Sequence, residues 1–541
     1  MRPGPAAYDR GVDDLAELLA LAAADAPDAV AILEDVGRSL TWSQVDDEAG
    51  RVATGLSDAG VVAGHRVLIA LVNRAEFVTA YFGVLRAQAV AVPVNPHATA
   101  GELARMMADS GARLAFVDPV SVAAVRSAQA QVGAALEGEE TGLETEVLSR
   151  AAPTELVTVG VPAAAGERSY DDLLAAEPRP VPPLRDPDKL AVLLYTSGTS
   201  GRPRGAMLTH RALLANIEQV ARLEPPMMRA DDVVLGVLPL FHVYGLNAVL
   251  GAAVRSRATL VLQERFDPAG TLDVISRHSC TVLPLAPAVF PQWLTTDRLG
   301  ARLASVRLVL SGSAALDPDS IERFTEVTGI TLHQGYGLTE AAPVVTSTRR
   351  SPGHRLGSVG TTLEGVELRL VDDRGRDVAG GDPGEIWIRG ANLFSGYWPD
   401  GSGGPDADGW WATGDVGLLD DAGDLVLVDR VKELVLVSGF NVYPHEVEDV
   451  IRTTEGVEEA AVIGVADDAT GAAVVAYVVA PGIDRATVEA AVRHRCETRL
   501  ARFKRPTRIA VVDALPLSVT GKVQKGRVRG LERRRALELL G

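Results

Sequence analysis

At 541 residues the chain is too long for one compact core and predicts two to four domains. Its 47% hydrophobic and 23% charged residues exclude a disordered chain, and its net charge of −18 argues against nucleic acid as a partner. Two cysteines, Cys280 and Cys496, exclude a disulfide framework or a cysteine metal site and fit a reducing, cytoplasmic compartment.

The start, "MRPGPAAYDRGVDDLAELL", carries acids where a secretory leader would continue apolar, so none is expected. Residues 11–25 predict an amphipathic helix. "RSLTWSQVDDEAGRVATGLSDAG" predicts a strand and then a helix closed by Gly60. "HRVLIALVN" follows as a strand, "AEFVTAYFGVLRAQA" as a helix and "VAVPVNP" as a strand ending in a turn. "GELARMMADSG" and "RLAFVD" repeat the alternation, which predicts a parallel sheet flanked by helices. Residues 131–188, acidic and then Pro-rich at "EPRPVPPLRDPDK", read as an irregular connection.

A second alternating block covers 190–345. Within it, Val233–Val254 has no Asp, Glu, Lys or Arg and is long enough to span a bilayer. Pro239, His242, Tyr244, Gly245 and Asn247 interrupt it, so a buried strand, loop and helix are expected instead. "GVELRLVDDRGRDVAGGDPGEIWIRG" has short strands and Asp-Gly turns, which predicts a β-rich unit at about 355–428. "LVDRVKELVLVSGFNVYPHEVEDVI" opens a final α+β block. The expected fold is α/β: a large N-terminal domain (1–429) of two α/β subdomains plus a small β-barrel-like unit, then a small mobile α+β domain (430–541).

From Arg430 onward there are 18 basic and 15 acidic residues, so the acidic excess lies entirely before it. A basic C-terminal module suits an anionic ligand, and a solvated basic helix face explains it equally well. Only five of the 53 basic residues are lysines: Lys189, Lys432, Lys504, Lys522 and Lys525. In a chain so biased toward arginine, retained lysines mark places where a compact ammonium is needed.

The most chemically loaded segment is "YTSGTSGRPRGAMLTH", Tyr195–His210. Its Gly, Ser and Thr follow an apolar strand, and free N–H groups with hydroxyls form an anion nest there. Gly205 is followed by Ala206, so this is not a Walker A loop. By itself such richness is also that of a surface turn; the order Tyr-Thr-Ser-Gly-Thr-x-Gly-x-Pro-x-Gly is far more specific. With "PLFHVYG", "LVLSGSAAL", "HQGYGLTE", "GSVGTTLEGVELRLVD", "GEIWIRG", "WWATGDVG", "VDRVKELVLVSGFNVYPHEVE" and "LPLSVTGK", it resembles the ANL superfamily of adenylate-forming enzymes, in its acyl-CoA synthetase branch. The motifs span about 190–525.

That resemblance implies two half-reactions: a carboxylate attacks the α-phosphorus of ATP to give acyl-AMP and pyrophosphate, and a thiol, usually that of coenzyme A, displaces AMP. It implies that Thr196, Ser197, Gly198, Thr199, Ser200, Gly201, Arg204 and Gly205 hold the ATP phosphates. Arg204 stands where the family most often has Lys; it keeps the charge and can clamp phosphate bidentately. Tyr336, between Gly335 and Gly337, would stack on adenine, with the backbone of Ser313 and Ala314 beside it. Thr339 would bond the α-phosphate and Glu340 would hold Mg²⁺, a cation that prefers oxygen ligands. Read bare, that motif is a turn with an N-cap threonine.

Asp415 and Arg430 would take the ribose hydroxyls, although "TGD" alone is a tight turn and Arg430 a surface charge. His242, at the end of an apolar strand, would border the acyl pocket with Tyr244 and Gly245; a lone histidine is otherwise a structural one. It would position substrate rather than act as a base, because the attacking carboxylate is already ionised. Lys522 would reach in from the C-terminal domain between carboxylate and α-phosphate, its alternative being a solvated tail lysine. The family's Pro-x-Thr-x-x-Gly-Lys reads Pro516-Leu-Ser-Val-Thr-Gly-Lys522, with Ser518 for Thr. Lys432 matches the hinge about which the small domain turns between half-reactions, and Ser438, Gly439 and Phe440 would then line the thiol tunnel.

The expected activity is that of an AMP-forming acid:CoA ligase using ATP, Mg²⁺ and CoA. A medium- or long-chain fatty acid is the first choice of substrate. A shorter, aryl or dicarboxylic acid is the alternative, as is acyl-AMP transfer to a carrier protein. A silent nucleotide- or acyl-binding protein is the non-enzyme reading, opposed by intact Glu340, Asp415 and Lys522. Peripheral contact with a membrane stays open, as does monomer against homodimer.

Overall fold

A computed structural model describes residues 12–138, 143–174, 177–182, 184–196, 203–313, 316, 318–351, 353, 357–372, 374–378, 381–430, 433, 435–437, 440–467, 471–517 and 521–536; within these the side chains of 429, 430, 436, 440, 441, 466, 471 and 533–536 are not described. The elements begin where the sequence supplies caps. Thr41 and Gln44 form a reciprocal capping box at the start of the helix Trp42–Asp58, and Thr99 with Glu102 does the same for Ala100–Ser110. Central strands such as Val90–Pro93, Leu114–Val117 and Val282–Leu285 are buried at every residue, as a parallel sheet covered on both faces requires.

Two seven-stranded sheets result. One runs, in spatial order, 168–169, 155–158, 114–117, 66–70, 90–93, 190–196 and 204–209. The other runs 332–334, 308–311, 282–285, 233–236, 259–262, 30–34 and 39–41. Each is parallel except for its last pair. The large N-terminal part is thus two α/β units, but they do not divide at 190. Val30–Glu34 pairs with Thr259–Leu262 in the later sheet, while Leu190–Thr196 and Arg204–Thr209 complete the earlier one. Periodicity marks a strand and leaves its distant partner unspecified, which is why the exchange was invisible. Residues 131–188 also correct the expectation: Glu155–Thr158 is a parallel strand beside Leu114–Val117, hidden between acidic and Pro-rich flanks.

A four-stranded antiparallel sheet follows, made of Val366–Val371, Gly384–Gly390, Trp411–Leu419 and Leu425–Arg430. The small C-terminal α+β part has a hairpin (Val435–Val437 with Phe440–Val442) and a three-stranded sheet (Glu459–Asp467, Gly471–Val479, Arg508–Val512) under the helices Pro444–Arg452 and Arg485–Arg499. The uncharged stretch from Val233 is, as expected, a strand (Val233–Gly236), a loop and helix: an eight-residue π-helix, Tyr244–Gly251, leading into Ala252–Ser256. Among the described residues no helix is long and apolar enough to cross a membrane.

Candidate active site

Strands Val233–Gly236, Leu308–Ser311 and Leu332–Gln334 run parallel in one sheet, so the loops after them leave its carboxyl edge together. Those loops carry "PLFHVYG", "SGSAAL" and "GYGLTE". Ligands bind at that edge in open α/β sheets.

The loop bearing Tyr336 turns back on itself. Gly337 pairs with Val344, and a Cβ at Gly337 would stand 2.4 Å from the Pro343 carbonyl oxygen, so only glycine fits; Gly335 likewise lies against the Thr346 carbonyl. The Tyr336 amide donates to Thr346 Oγ1 (3.1 Å), and its phenol donates to Asp415 Oδ2 (2.6 Å). The two residues expected against adenine and ribose are therefore one hydrogen-bonded pair. Asp415 is not in a turn. It lies in the strand Trp411–Leu419, where the register shifts and Gly414 has φ +75°, a bulge that re-aims the carboxylate. Arg430 pairs with Asp415 through the backbone; its side chain lies outside the described residues.

Thr339 and Glu340 sit in a single 3₁₀ turn, Thr339–Ala341, with no side-chain cap. Glu340 is buried, and its Oε1 accepts a 2.6 Å hydrogen bond from the Tyr397 phenol. Burial and then the Glu340 charge push that phenol up, so it is the donor. Two buried asparagines hold the return leg. Asn216 bonds both backbone groups of Val344 (2.8 and 3.0 Å), and Asn247, in the π-helix, donates to the Ala342 carbonyl (2.6 Å). Nothing in the sequence singled out Tyr397 or Asn216. Their signals were an aromatic inside "SGYW" and an amide inside the apolar "LLANI".

The described ends of this motif, Leu190–Thr196 and Arg204–Thr209, are antiparallel strands. Thr196 pairs with Arg204, Gly205 packs between Leu193 and Trp398, and a strand precedes the helix at His210. Ser197–Gly201 lie outside the described residues. The Arg204 guanidinium carbon stands 3.7 Å from the centre of the Tyr397 ring.

His242 lies six residues beyond the end of its strand, just before the π-helix. The residue is half-buried, and burial, and then the Lys522 charge, lower its pKa to about 4. The imidazole is therefore neutral at physiological pH. The Lys522 charge thus acts on this imidazole, and the neighbouring Gly521 lies against Ala288 of the large domain: an added Cβ would be 3.3 Å from the Ala288 Cβ. Tyr244 packs against Gly312, whose added Cβ would be 2.8 Å from the ring, and Ser313 has φ +78°, a strained backbone. Gly245 has no room for a side chain, with the Pro239 carbonyl 2.2 Å from a built Cβ. Ala314, Lys432, Ser438 and Gly439 lie outside the described residues, as does the Phe440 side chain.

Among the described residues no group of three or more His, Cys, Asp or Glu is placed to hold a metal alone. A single buried carboxylate such as Glu340 nevertheless suits Mg²⁺, which typically takes one or two carboxylates and completes its shell with phosphate oxygens and water.

The model of the AMP-binding enzyme family matches residues 19–398, and that of the AMP-binding enzyme C-terminal domain matches 446–522. The chain belongs to the AMP-binding enzymes of the ANL superfamily. Among its relatives is 4-coumarate–CoA ligase 5 of Oryza sativa subsp. japonica, 35% identical over 509 residues, covering 91% of this chain and 89% of the relative. A long-chain-fatty-acid–CoA ligase of Bacillus subtilis (strain 168) is 31% identical over 538 residues, covering 95% and 94%. Among solved AMP-binding enzymes, ATP-bound MatB from Rhodopseudomonas palustris superposes with a TM-score of 0.84 at 32% identity, covering 96% of this chain and 99% of that one; its apo form gives 0.73.

Proposed function

We propose that this protein is an AMP-forming acid:CoA ligase, joining a carboxylic acid to coenzyme A through an acyl-adenylate. The observation that carries the proposal is the packing of Gly521 against Ala288 of the large domain, which brings its neighbour Lys522, a C-terminal residue, near enough for its charge to act on His242. Adenylation brings a carboxylate against a triphosphate, and a preorganised cation at their meeting point offsets the repulsion. Lys522 supplies that charge, Arg204 and the Thr196–Gly205 hairpin take phosphate oxygens, and Tyr336 with Asp415 orients the nucleoside. Mg²⁺ held by Glu340 would neutralise phosphate charge when bound. His242, neutral, shapes the acid pocket with Tyr244 and removes no proton. The closer likeness to ATP-bound than to apo MatB supports assigning this arrangement to the first half-reaction.

The division falls at 429/430, with Lys432 as the hinge and 438–440 presented to the thiol after rotation. A neutral His242 places no charge of its own beside the acid, which suits an apolar acyl group. A medium- or long-chain fatty acid fits this, and the identity to 4-coumarate–CoA ligase 5 favours an arylpropenoic acid as the second reading. The test is AMP release dependent on both acid and CoA across a panel of fatty and aryl acids, with carboxylate-dependent ATP–pyrophosphate exchange. Exchange without CoA-dependent release would redirect the thioester step to a carrier protein. No exchange with any acid would overturn catalysis.

A further inference from the structure

Tyr397 stands between two oppositely charged residues, Glu340 and Arg204. Its hydroxyl donates to Glu340 Oε1 (2.6 Å), and the Arg204 guanidinium lies on its ring at 3.7 Å. The ring is wedged edge-on against Phe394 (5.0 Å, 76°), which meets Trp411 at 5.1 Å. The backbone around it is bolted to both sides of the cleft. Trp398 N–H donates to the Gly205 carbonyl (2.8 Å), Met207 N–H to Gly396 (3.1 Å) and Ser395 N–H to Met207 (2.9 Å). On the other side, Phe394 N–H donates to the Glu340 carbonyl (2.9 Å). One short segment thus carries the strand leaving the phosphate hairpin, the Glu340 main chain and the Glu340 carboxylate.

A guanidinium stacked by its face keeps its N–H edge directed outward, and a planar Arg uses that geometry where a Lys cannot. A hydrogen bond to one carboxylate oxygen fixes the plane of the group and hence the direction of its lone pairs. Building on the acid:CoA ligase reading above, we propose that Tyr397 is a positioning residue for adenylation, orienting the Glu340 carboxylate for a divalent cation through its hydroxyl and presenting Arg204 to phosphate through its ring.

The two functions separate by substitution. Tyr397→Phe keeps the ring and removes the hydroxyl; Tyr397→Leu removes both. Two readouts are needed: acid-dependent pyrophosphate exchange as a function of Mg²⁺, and calorimetric binding of a nonhydrolysable ATP analogue with and without Mn²⁺. Tyr397→Phe should raise the Mg²⁺ needed for half-maximal exchange about tenfold and weaken Mn²⁺-dependent binding to match, leaving metal-free binding within about twofold of wild type. Tyr397→Leu should also weaken metal-free binding about tenfold. A Phe variant with wild-type metal dependence in both readouts would overturn the carboxylate role, and equal metal-free binding by Phe and Leu variants would overturn the arginine role. If wild type shows no exchange with any acid, the ligase reading fails while the binding arm still decides on Tyr397. Should the Leu variant not fold, Arg204→Gln in the wild-type and Phe backgrounds replaces it; the arginine role then requires the same loss of metal-free binding in both.

Discussion

Lys522 and His242 lie 280 positions apart, yet the lysine charge acts on the imidazole: burial and then that charge hold it down at about 4. Removing the lysine should affect only the step that uses this arrangement. Lys522→Ala should lose acyl-AMP formation from acid and ATP by several orders of magnitude, since a preorganised cation at developing charge contributes several kcal/mol. It should still make thioester from supplied acyl-AMP and CoA at near the wild-type rate. Equal damage to both, in single-turnover assays, would assign Lys522 a general structural role. In the same variant the His242 resonance should titrate at a higher pH.

His242 also predicts an acid limit. Its folded pKa lies below the ordinary 6.5, so the unfolded chain binds the extra proton first. Its stabilising contribution is complete above 6.5 and is lost as pH falls from 6.5 toward 4, on the order of 3 kcal/mol. Urea melts at pH 6.5 and 4.5 should show a smaller difference for His242→Gln than for wild type.

Glu340→Ala should abolish acyl-AMP formation while leaving the fold intact. Its carboxylate accepts a hydrogen bond from Tyr397, whose ring carries the Arg204 guanidinium. The measurement is pyrophosphate exchange at saturating Mg²⁺ beside a thermal melt; near-normal turnover refutes the metal assignment.

Lys525 is buried between two carboxylates, 2.9 Å from Glu433 and 2.8 Å from Glu448, three residues after Lys522 and next to the proposed hinge. Lys525→Met should cost about 3–5 kcal/mol, because it strands buried charge. Burial raises Glu448 while Lys525 opposes the rise, so without the lysine Glu448 protonates more readily. The stability gap to wild type should therefore narrow as pH falls, and Lys525→Met/Glu448→Gln should recover part of the loss at pH 8. Melting temperatures at pH 5 and 8 decide.

Gly245→Ala should damage the acid pocket by sterics alone. A Cβ there meets the Pro239 carbonyl at 2.2 Å, at the start of the π-helix. Relieving such overlap costs roughly 1–3 kcal/mol or more. The KM for the acid should rise well beyond the change in KM for ATP.

The α/β class, the β-rich unit and the strand–loop–helix reading of Val233–Val254 were legible because burial periodicity and interrupting polar groups are local properties. The pairing of Tyr336 with Asp415 was not, since 79 positions separate them and only a strand bulge aims the carboxylate. Asp415 read as a turn residue for the same reason: Gly414 signals positive φ equally in turns and bulges. Tyr397 escaped because an aromatic beside glycine reads as packing until its hydroxyl is seen on Glu340. The scarce lysines were informative in an unexpected way: Lys525 and Lys504 are spent on carboxylates inside the small domain.

The exchange of strands between the two large sheets sets a timetable for synthesis. Val30 reaches its neighbour Thr259 across 229 positions of chain, so the first strand to leave the ribosome waits for a partner not yet made. At 5–20 residues per second the wait is roughly 10–50 s. Throughout it, Val30–Glu34 presents unpaired edge groups on one side, and although the earlier sheet is complete once Arg204–Thr209 has been made, the later one cannot be completed from a contiguous half of the N-terminal region. Ribosome-stalled chains ending before about residue 260 should be protease-sensitive and chaperone-bound, and chains reaching past the later strands should abruptly become resistant.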